Sequence, residues 1–257
     1  MKYVYGPLNS WRLKRSFGVD LISTEGRTCS FDCEYCQIQN INEITSERRE
    51  FVDLEEWGKE VEEGLRDVGE NVDYLTFSGT GEPTLALNFP EAVDAVKEIT
   101  DKPLAILTNG SFFNVEEVRE ALMKLDYVIA ELDAPNEEIF KKVSRPVEGI
   151  EFDEIISGYK KFSERYNGKF ALEVMFTPNN KDYAEEIAEL ARKISPDEIQ
   201  LNTPLRPCPV EHLSQEELKR LEQYFTGLDT INVYDSKRTK TKMLNEEEVI
   251  RRGRPVK

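Results

Sequence analysis

Apolar positions along the middle of this chain switch between a period of two and a period near 3.6, so strands are expected to alternate with helices. Asp73 to Ser78 is a short β-branched and aromatic run that stops at Gly79, and it reads as a strand. Phe89, Ala92, Val93, Val96 and Ile99 fall at helical spacing. Leu104 to Leu107 is apolar and runs into Thr108-Asn109-Gly110, a strand with a turn behind it. The same pattern gives a helix over 115–125 with Asn114 as its N-cap, a strand over 127–132 and a helix over 152–166. A strand over 170–176, a helix over 183–194 and a strand over 198–201 follow. Ser214 with Glu217 three residues later is a capping box that opens another helix, and 231–234 is a last strand.

Strands and helices in turn, joined by short loops, define an α/β fold with parallel strands, right-handed crossovers and outer helices. No G-x-G-x-x-G follows a strand, so the Rossmann arrangement is not indicated. A TIM-like barrel or partial barrel fits better, and such barrels gather their chemistry at the carboxyl ends of the strands. Polar and glycine residues fall at those ends here: Gly79-Thr80-Gly81-Glu82, Asn109, Asp133 and Asn202.

Composition adjusts this picture in two places. The 257 residues carry a net charge of −16, which argues against the whole surface being a nucleic-acid platform. The charge is uneven: residues 236–257 hold eight basic and three acidic side chains, a net +5, leaving −21 for the rest. The chain therefore divides into a core barrel over 1–235 and a basic C-terminal tail over 236–257. Lys2, Arg12, Lys14 and Arg15 add a basic N-terminal stretch, so either end could meet an anion such as RNA. No apolar run approaches a membrane span or a signal peptide, and four cysteines do not make a disulfide framework. These features place the protein in the reducing cytoplasm, away from the membrane.

The sharpest chemical signal is local. Cys29, Cys33 and Cys36 stand at C-x3-C-x2-C spacing, with Tyr35 directly before the last. Three closely spaced thiolates can hold three irons of a cubane cluster and leave the fourth without a protein ligand. Zinc is the alternative, and it requires a fourth ligand from Cys208 or from His212, the single histidine.

This triplet resembles the cluster motif of the radical S-adenosylmethionine (radical SAM) superfamily. The resemblance implies a partial (β/α)6 barrel, in agreement with about six strands. It also implies a 4Fe–4S cluster on Cys29, Cys33 and Cys36, whose open iron chelates S-adenosylmethionine (SAM). Reductive cleavage then gives a 5′-deoxyadenosyl radical that abstracts hydrogen from a substrate, with an electron donor such as ferredoxin or flavodoxin. Gly79-Thr80-Gly81-Glu82-Pro83 resembles the superfamily segment that hydrogen-bonds the SAM amino group. Tyr35, Asn109, Asp133, Arg145, Glu173 and Asn202 are the further candidate SAM contacts. Glu173 alternates with apolar residues in its strand, so it needs a partner or a polar lumen. Cys208, in a loop after a strand, is the candidate catalytic thiol; an ordinary buried thiol is the other reading.

Tyr3-Val4-Tyr5-Gly6-Pro7, Ser16-Phe17-Gly18-Val19-Asp20 and Leu201-Asn202-Thr203-Pro204 narrow the resemblance to a group related to the tRNA wyosine-synthesis radical enzymes (4-demethylwyosine synthase). Those enzymes carry a second cysteine set that this chain lacks. RNA, a peptide or a metabolite all stand as substrate classes. An iron–sulfur redox sensor or electron carrier without SAM chemistry is the rival function, and a zinc-stabilised binding module is the third.

Overall fold

The computed structural model describes residues 1–236, 239 and 241–253. Its main sheet has eight strands among the described residues: β1 (Val4–Ser10), β2 (Lys14–Val19), β5 (Tyr74–Phe77), β6 (Leu104–Thr108), β7 (Tyr127–Glu131), β8 (Lys169–Met175), β9 (Glu198–Asn202) and β10 (Thr230–Asn232). They lie side by side in that order. β2 through β10 pair in parallel, and β1 alone runs antiparallel, against β2. Between them run the helices α1 (Leu54–Val68), α2 (Phe89–Ile99), α3 (Glu116–Leu122), α4 (Glu137–Val143), α5 (Phe152–Ser163), α6 (Ala184–Ile194) and α7 (Gln215–Glu222). Six strand–helix units from β2 to α7 make a curled half-barrel, the partial (β/α)6 plan expected from the sequence. Two short strands, β3 (Arg27–Cys29) and β4 (Ile41–Ile44), pair outside the main sheet.

Period-two patterning divides the apolar residues into two layers. One side of the strands gives Phe17, Phe77, Ile106, Val128, Ala130, Leu172, Val174 and Leu201 to the large core beneath the helices. The other side gives Ala105, Tyr127, Ile129 and Ala171, which form a smaller cluster with Leu13. Leu13 comes from the turn joining β1 to β2, at the amino-terminal end of β2. That turn therefore plugs the floor of the half-barrel.

Local signals behave as their chemistry dictates. Asp53 caps α1 by accepting from the amides of Glu55 (3.0 Å) and Glu56 (2.9 Å). The Ser214–Glu217 capping box is present at α7. Asn114 is not the cap of α3: Val115 holds that place, and the Asn114 amide instead donates to Glu154 at 2.9 Å.

Part of the stretch read as a basic tail is folded. Helix α8 (Glu246–Arg251), capped by Asn245, lies against β1, and the Leu244 amide donates to the Gly6 carbonyl at 2.7 Å. Lys237, Arg238, Lys240 and residues 254–257 lie outside the described residues. Of the basic residues at the two ends, Arg12, Arg15, Arg251 and Arg252 are engaged in internal ion pairs. No helix among the described residues is long and apolar enough to cross a membrane.

Candidate active site

The thiol loop leaves β3 at Cys29 and is held from both sides. On one side the Asp32 amide donates to the Arg145 carbonyl (3.0 Å) and the Glu34 amide to that of Val143 (2.9 Å). The Glu34 carboxylate accepts from the Thr177 hydroxyl (2.7 Å) and the Asn179 amide (2.7 Å), which ties the loop to the segment after β8. Phe31 packs edge-on against Phe140 of α4 at 5.2 Å. Within the loop the Cys36 amide donates to the Cys33 carbonyl at 3.0 Å.

On the other side lies the glycine segment after β5. Gly81 bridges to Thr28, and the Thr28 amide donates to the Thr80 carbonyl at 2.9 Å. A Cβ on Gly81 would sit 1.6 Å from the Thr28 carbonyl oxygen, and one on Gly79 would sit 2.0 Å from the Asp20 carboxyl carbon. The two glycines are thus required first by the approach of the segment to its own protein neighbours. Gly81→Ala is expected to force this bridge apart at a cost of about 3 kcal/mol, read as a lower melting temperature together with reduced iron uptake; an unchanged melt and full iron loading would contradict it.

Glu82 fastens the next strand to the same place. Its carboxylate accepts from the Thr84 amide (3.0 Å) and hydroxyl (2.6 Å), from the Thr108 hydroxyl (2.7 Å) and from the Asn109 amide (2.7 Å). Burial pushes the Glu82 carboxyl up, and these hydrogen bonds pull it back. The Asn109 side chain donates to the Ser30 hydroxyl at 2.9 Å, one residue beyond Cys29. Asn109 therefore holds the thiol loop.

All three thiols of the triplet are half-buried and line one cavity of about 230 Å³. Gly79, Gly81, Glu82, Asn109, Glu131, Glu173 and Asn202 line it too. In the chain alone, burial and then the Glu82 charge push the Cys29 thiol up to about 12, and burial and then the Glu131 charge push the Cys33 thiol well above its ordinary range. A metal loaded here would displace protons from thiols. Among the described residues no three His, Cys, Asp or Glu side chains are placed to hold one common metal ion, as a tetrahedral zinc would need. The cavity presents three soft ligands and no imidazole, and that donor set fits a multi-iron cluster with one uncommitted iron.

The inner wall continues along the strands. Glu131, Glu173 and Gln200 are register partners on β7, β8 and β9. Arg12 rises from the floor plug to pair with Glu173, with both side chains about nine-tenths buried. The acid inside an apolar strand thereby finds its counter-charge. Asn202 donates to the other Glu173 oxygen at 2.7 Å. Glu131 is pushed up by burial first and then by Asp133, Glu173 and Glu82.

Five sequence candidates are placed differently. Asp133 lies behind the cavity wall, where its carboxylate accepts from the Tyr35 hydroxyl and from the Met175 amide (2.7 Å). Tyr35 lines the cavity but its hydroxyl is committed to Asp133, with Glu131 at 3.2 Å. Arg145 is turned outward: its guanidinium is half-exposed and lies 4.0 Å from Glu34, and no Arg145–Asp133 ion pair forms. Cys208 packs beside the large core with its thiol 3.2 Å from the Val210 carbonyl, and it does not line the cavity. Thr80 is fully buried and donates to Asp20, through its amide at 3.1 Å and its hydroxyl at 3.3 Å. Sequence reasoning missed Trp11, Arg12, Glu131 and Arg252 as lining residues. Glu131 was legible, because it keeps the same period-two parity as Tyr127 and Ile129.

A half-barrel of parallel strands with three thiols at the mouth, beside a glycine turn, defines a class of cluster-bearing barrel enzyme. Residues 26–191 match the radical SAM superfamily, and the chain belongs to it. The UPF0026 protein of Synechocystis sp. is 36% identical over 213 residues, covering 81% of this chain and 77% of that protein. A protein of Brachyspira hyodysenteriae named GTPase Obg is 35% identical over 260 residues, 97% of this chain; the chain spans 38% of that relative's length. Among solved structures, Streptococcus suis SuiB bound to S-adenosylmethionine has the same fold at 17% identity, with a TM-score of 0.61 over 81% of this chain and 48% of that one. Membership implies an enzyme of SAM-dependent radical chemistry.

Proposed function

We propose that this chain holds a 4Fe–4S cluster on Cys29, Cys33 and Cys36 and uses it to cleave SAM, with hydrogen abstraction from a substrate as the outcome. The observation that carries this reading is that the three thiols, Gly79, Gly81, Glu82, Asn109 and Asn202 line one cavity. The bound cluster would supply one electron to the SAM sulfonium, breaking a carbon–sulfur bond to give methionine and a 5′-deoxyadenosyl radical; a small carrier such as ferredoxin or flavodoxin would provide that electron.

The chain's own residues bind and orient. Gly79, Thr80 and Gly81 set the backbone edge that faces the thiol loop, and Glu82 keeps that edge and the β6 end in register. Glu131 and Glu173 are assigned as acceptors for the hydroxyl or amine donors of the nucleotide, with Asn202 orienting Glu173. Arg12 holds the Glu173 carboxylate in place from below through their ion pair. The floor plug closes the amino-terminal end, so a radical formed at the mouth is shielded from water on that side.

The sequence resemblance to the wyosine-synthesis group keeps RNA among the substrate classes, with a peptide or a metabolite as the others. The direct test is anaerobic reconstitution with iron and sulfide, then dithionite and SAM. 5′-Deoxyadenosine and methionine in equal amounts support the proposal. A reducible cluster indifferent to SAM would establish the electron-carrier function instead.

A further inference from the structure

Arg252, just after α8, is among the largest fully buried side chains, yet it lies more than two hundred residues from every group it touches in the barrel apart from Glu248. Its Nε donates to Asp20 Oδ2 at 2.8 Å. Nη1 pairs with the Glu248 carboxylate and donates to the Glu248 carbonyl at 3.1 Å. Nη2 donates to the Lys2 carbonyl at 2.8 Å. The guanidinium lies 4.6 Å from the centre of the Tyr5 ring, whose hydroxyl bonds Ser78 at 2.6 Å. Arg252 and Ser78 both line the cavity that holds the three thiols.

Asp20 makes this contact consequential. Its Oδ1 accepts from the amides of Ile22 (3.0 Å) and Ser23 (2.9 Å), which begin the path from β2 to the thiol loop. Its Oδ2 accepts from the Thr80 amide (3.1 Å) and hydroxyl (3.3 Å) as well as from Arg252. One carboxylate thus joins the strand end before the thiols, the glycine segment and the C-terminal helix. Two further arginines repeat the tie. Arg251 donates to the Thr24 carbonyl at 2.8 Å. Arg206 donates to the side chain of Gln37, next to Cys36, at 2.8 Å and to the Gly253 carbonyl at 3.4 Å. The segment crosses β1, which is one edge strand of the half-barrel.

We propose that Arg252 is a positioning residue for SAM: through Asp20 it fixes the Gly79-Thr80-Gly81 segment against the thiol loop, so that helix α8 completes the site. The proposal rests on the SAM-cleaving function above. A buried ion pair is expensive to desolvate, and removing one partner leaves the other charge stranded. Its retention here follows from the geometry it enforces on two loops that must meet a single ligand.

The test uses the reconstituted 257-residue chain and SAM itself. Arg252→Gln is expected to weaken SAM binding about tenfold or more, with three-thiol cluster content kept at the wild-type level. Arg252→Lys should recover only part of this, since a point charge cannot serve Asp20, Glu248 and the Lys2 carbonyl together. The double variant Asp20→Asn/Arg252→Gln removes both charges and so avoids a stranded buried ion; it should melt closer to wild type than Arg252→Gln while still binding SAM weakly. Wild-type SAM affinity in a folded Arg252→Gln protein, or in the double variant, would overturn the proposal and leave the SAM-cleaving function standing. A wild-type protein whose cluster never responds to SAM would overturn both.

Discussion

Cys33→Ala is expected to abolish cluster binding and SAM cleavage in one step. The three thiols share one cavity, and no fourth cysteine or histidine lines it. Losing one leaves two protein ligands for a four-iron cluster, and neither Cys208 nor His212 stands at the cavity to take its place. The brown chromophore should be lost after reconstitution, and 5′-deoxyadenosine should fall by at least about a hundredfold, below the background of the assay. The fold should persist, because Cys33 is only partly buried and the loop is anchored through Glu34, Phe31 and Asp32. A far-ultraviolet spectrum matching wild type, with iron near zero, is the expected pair of observations. Cleavage at the wild-type rate would remove the assignment of the triplet.

Glu82→Ala is expected to have the next largest effect, and on two quantities at once. Four donors from three residues converge on this buried carboxylate. Truncation leaves the Thr84 amide and hydroxyl, the Thr108 hydroxyl and the Asn109 amide without their acceptor, which costs about 3 kcal/mol. In a chain of this size that lowers the melting temperature by roughly 8 °C. Because the same carboxylate keeps the β5 and β6 ends together beside Cys29, SAM affinity should fall about tenfold. Glu82→Gln retains one acceptor oxygen and should lie between the two. A variant that melts like wild type and binds SAM equally well would show that the convergence on Glu82 is dispensable.

The features legible in the sequence were those written in contiguous residues. The thiol triplet, the Gly79–Glu82 turn and the β5-to-β9 alternation each depend on neighbours a few positions apart. Of the residues those signals single out, Cys29, Cys33, Cys36, Glu82, Asn109, Glu173 and Asn202 line the cavity. Glu131 lines that cavity and Asp133 does not. Both sit at a strand end, but only Glu131 pairs in register with Glu173 across β7 and β8. Asp133 lies past the last residue of β7 and turns toward Tyr35.

What escaped was set by long-range pairing. The β1–β2 hairpin reads poorly because β2 presents Lys14, Arg15 and Ser16 before its apolar end, and its outward Phe17 is matched inward by Gly18, over which the Tyr5 ring lies. Arg12 looked like part of a basic stretch, and only the folded floor plug brings it to Glu173. Arg251 and Arg252 looked like a charged tail for the same reason. Their partners Lys2, Asp20, Ser23 and Thr24 lie at the opposite end of the chain, and no local pattern encodes a contact across that distance. The glycines carried a different lesson. Their need for close approach was readable, but the groups they approach are Asp20 and Thr28 of the protein itself.

The most direct measurement is the electron paramagnetic resonance spectrum of the anaerobically reconstituted, dithionite-reduced protein, recorded before and after adding SAM. If SAM binds at an iron that the three thiols leave uncommitted, its addition would change the signal, and a shifted spectrum is predicted. A reduced cluster with the same spectrum in both samples would contradict the account.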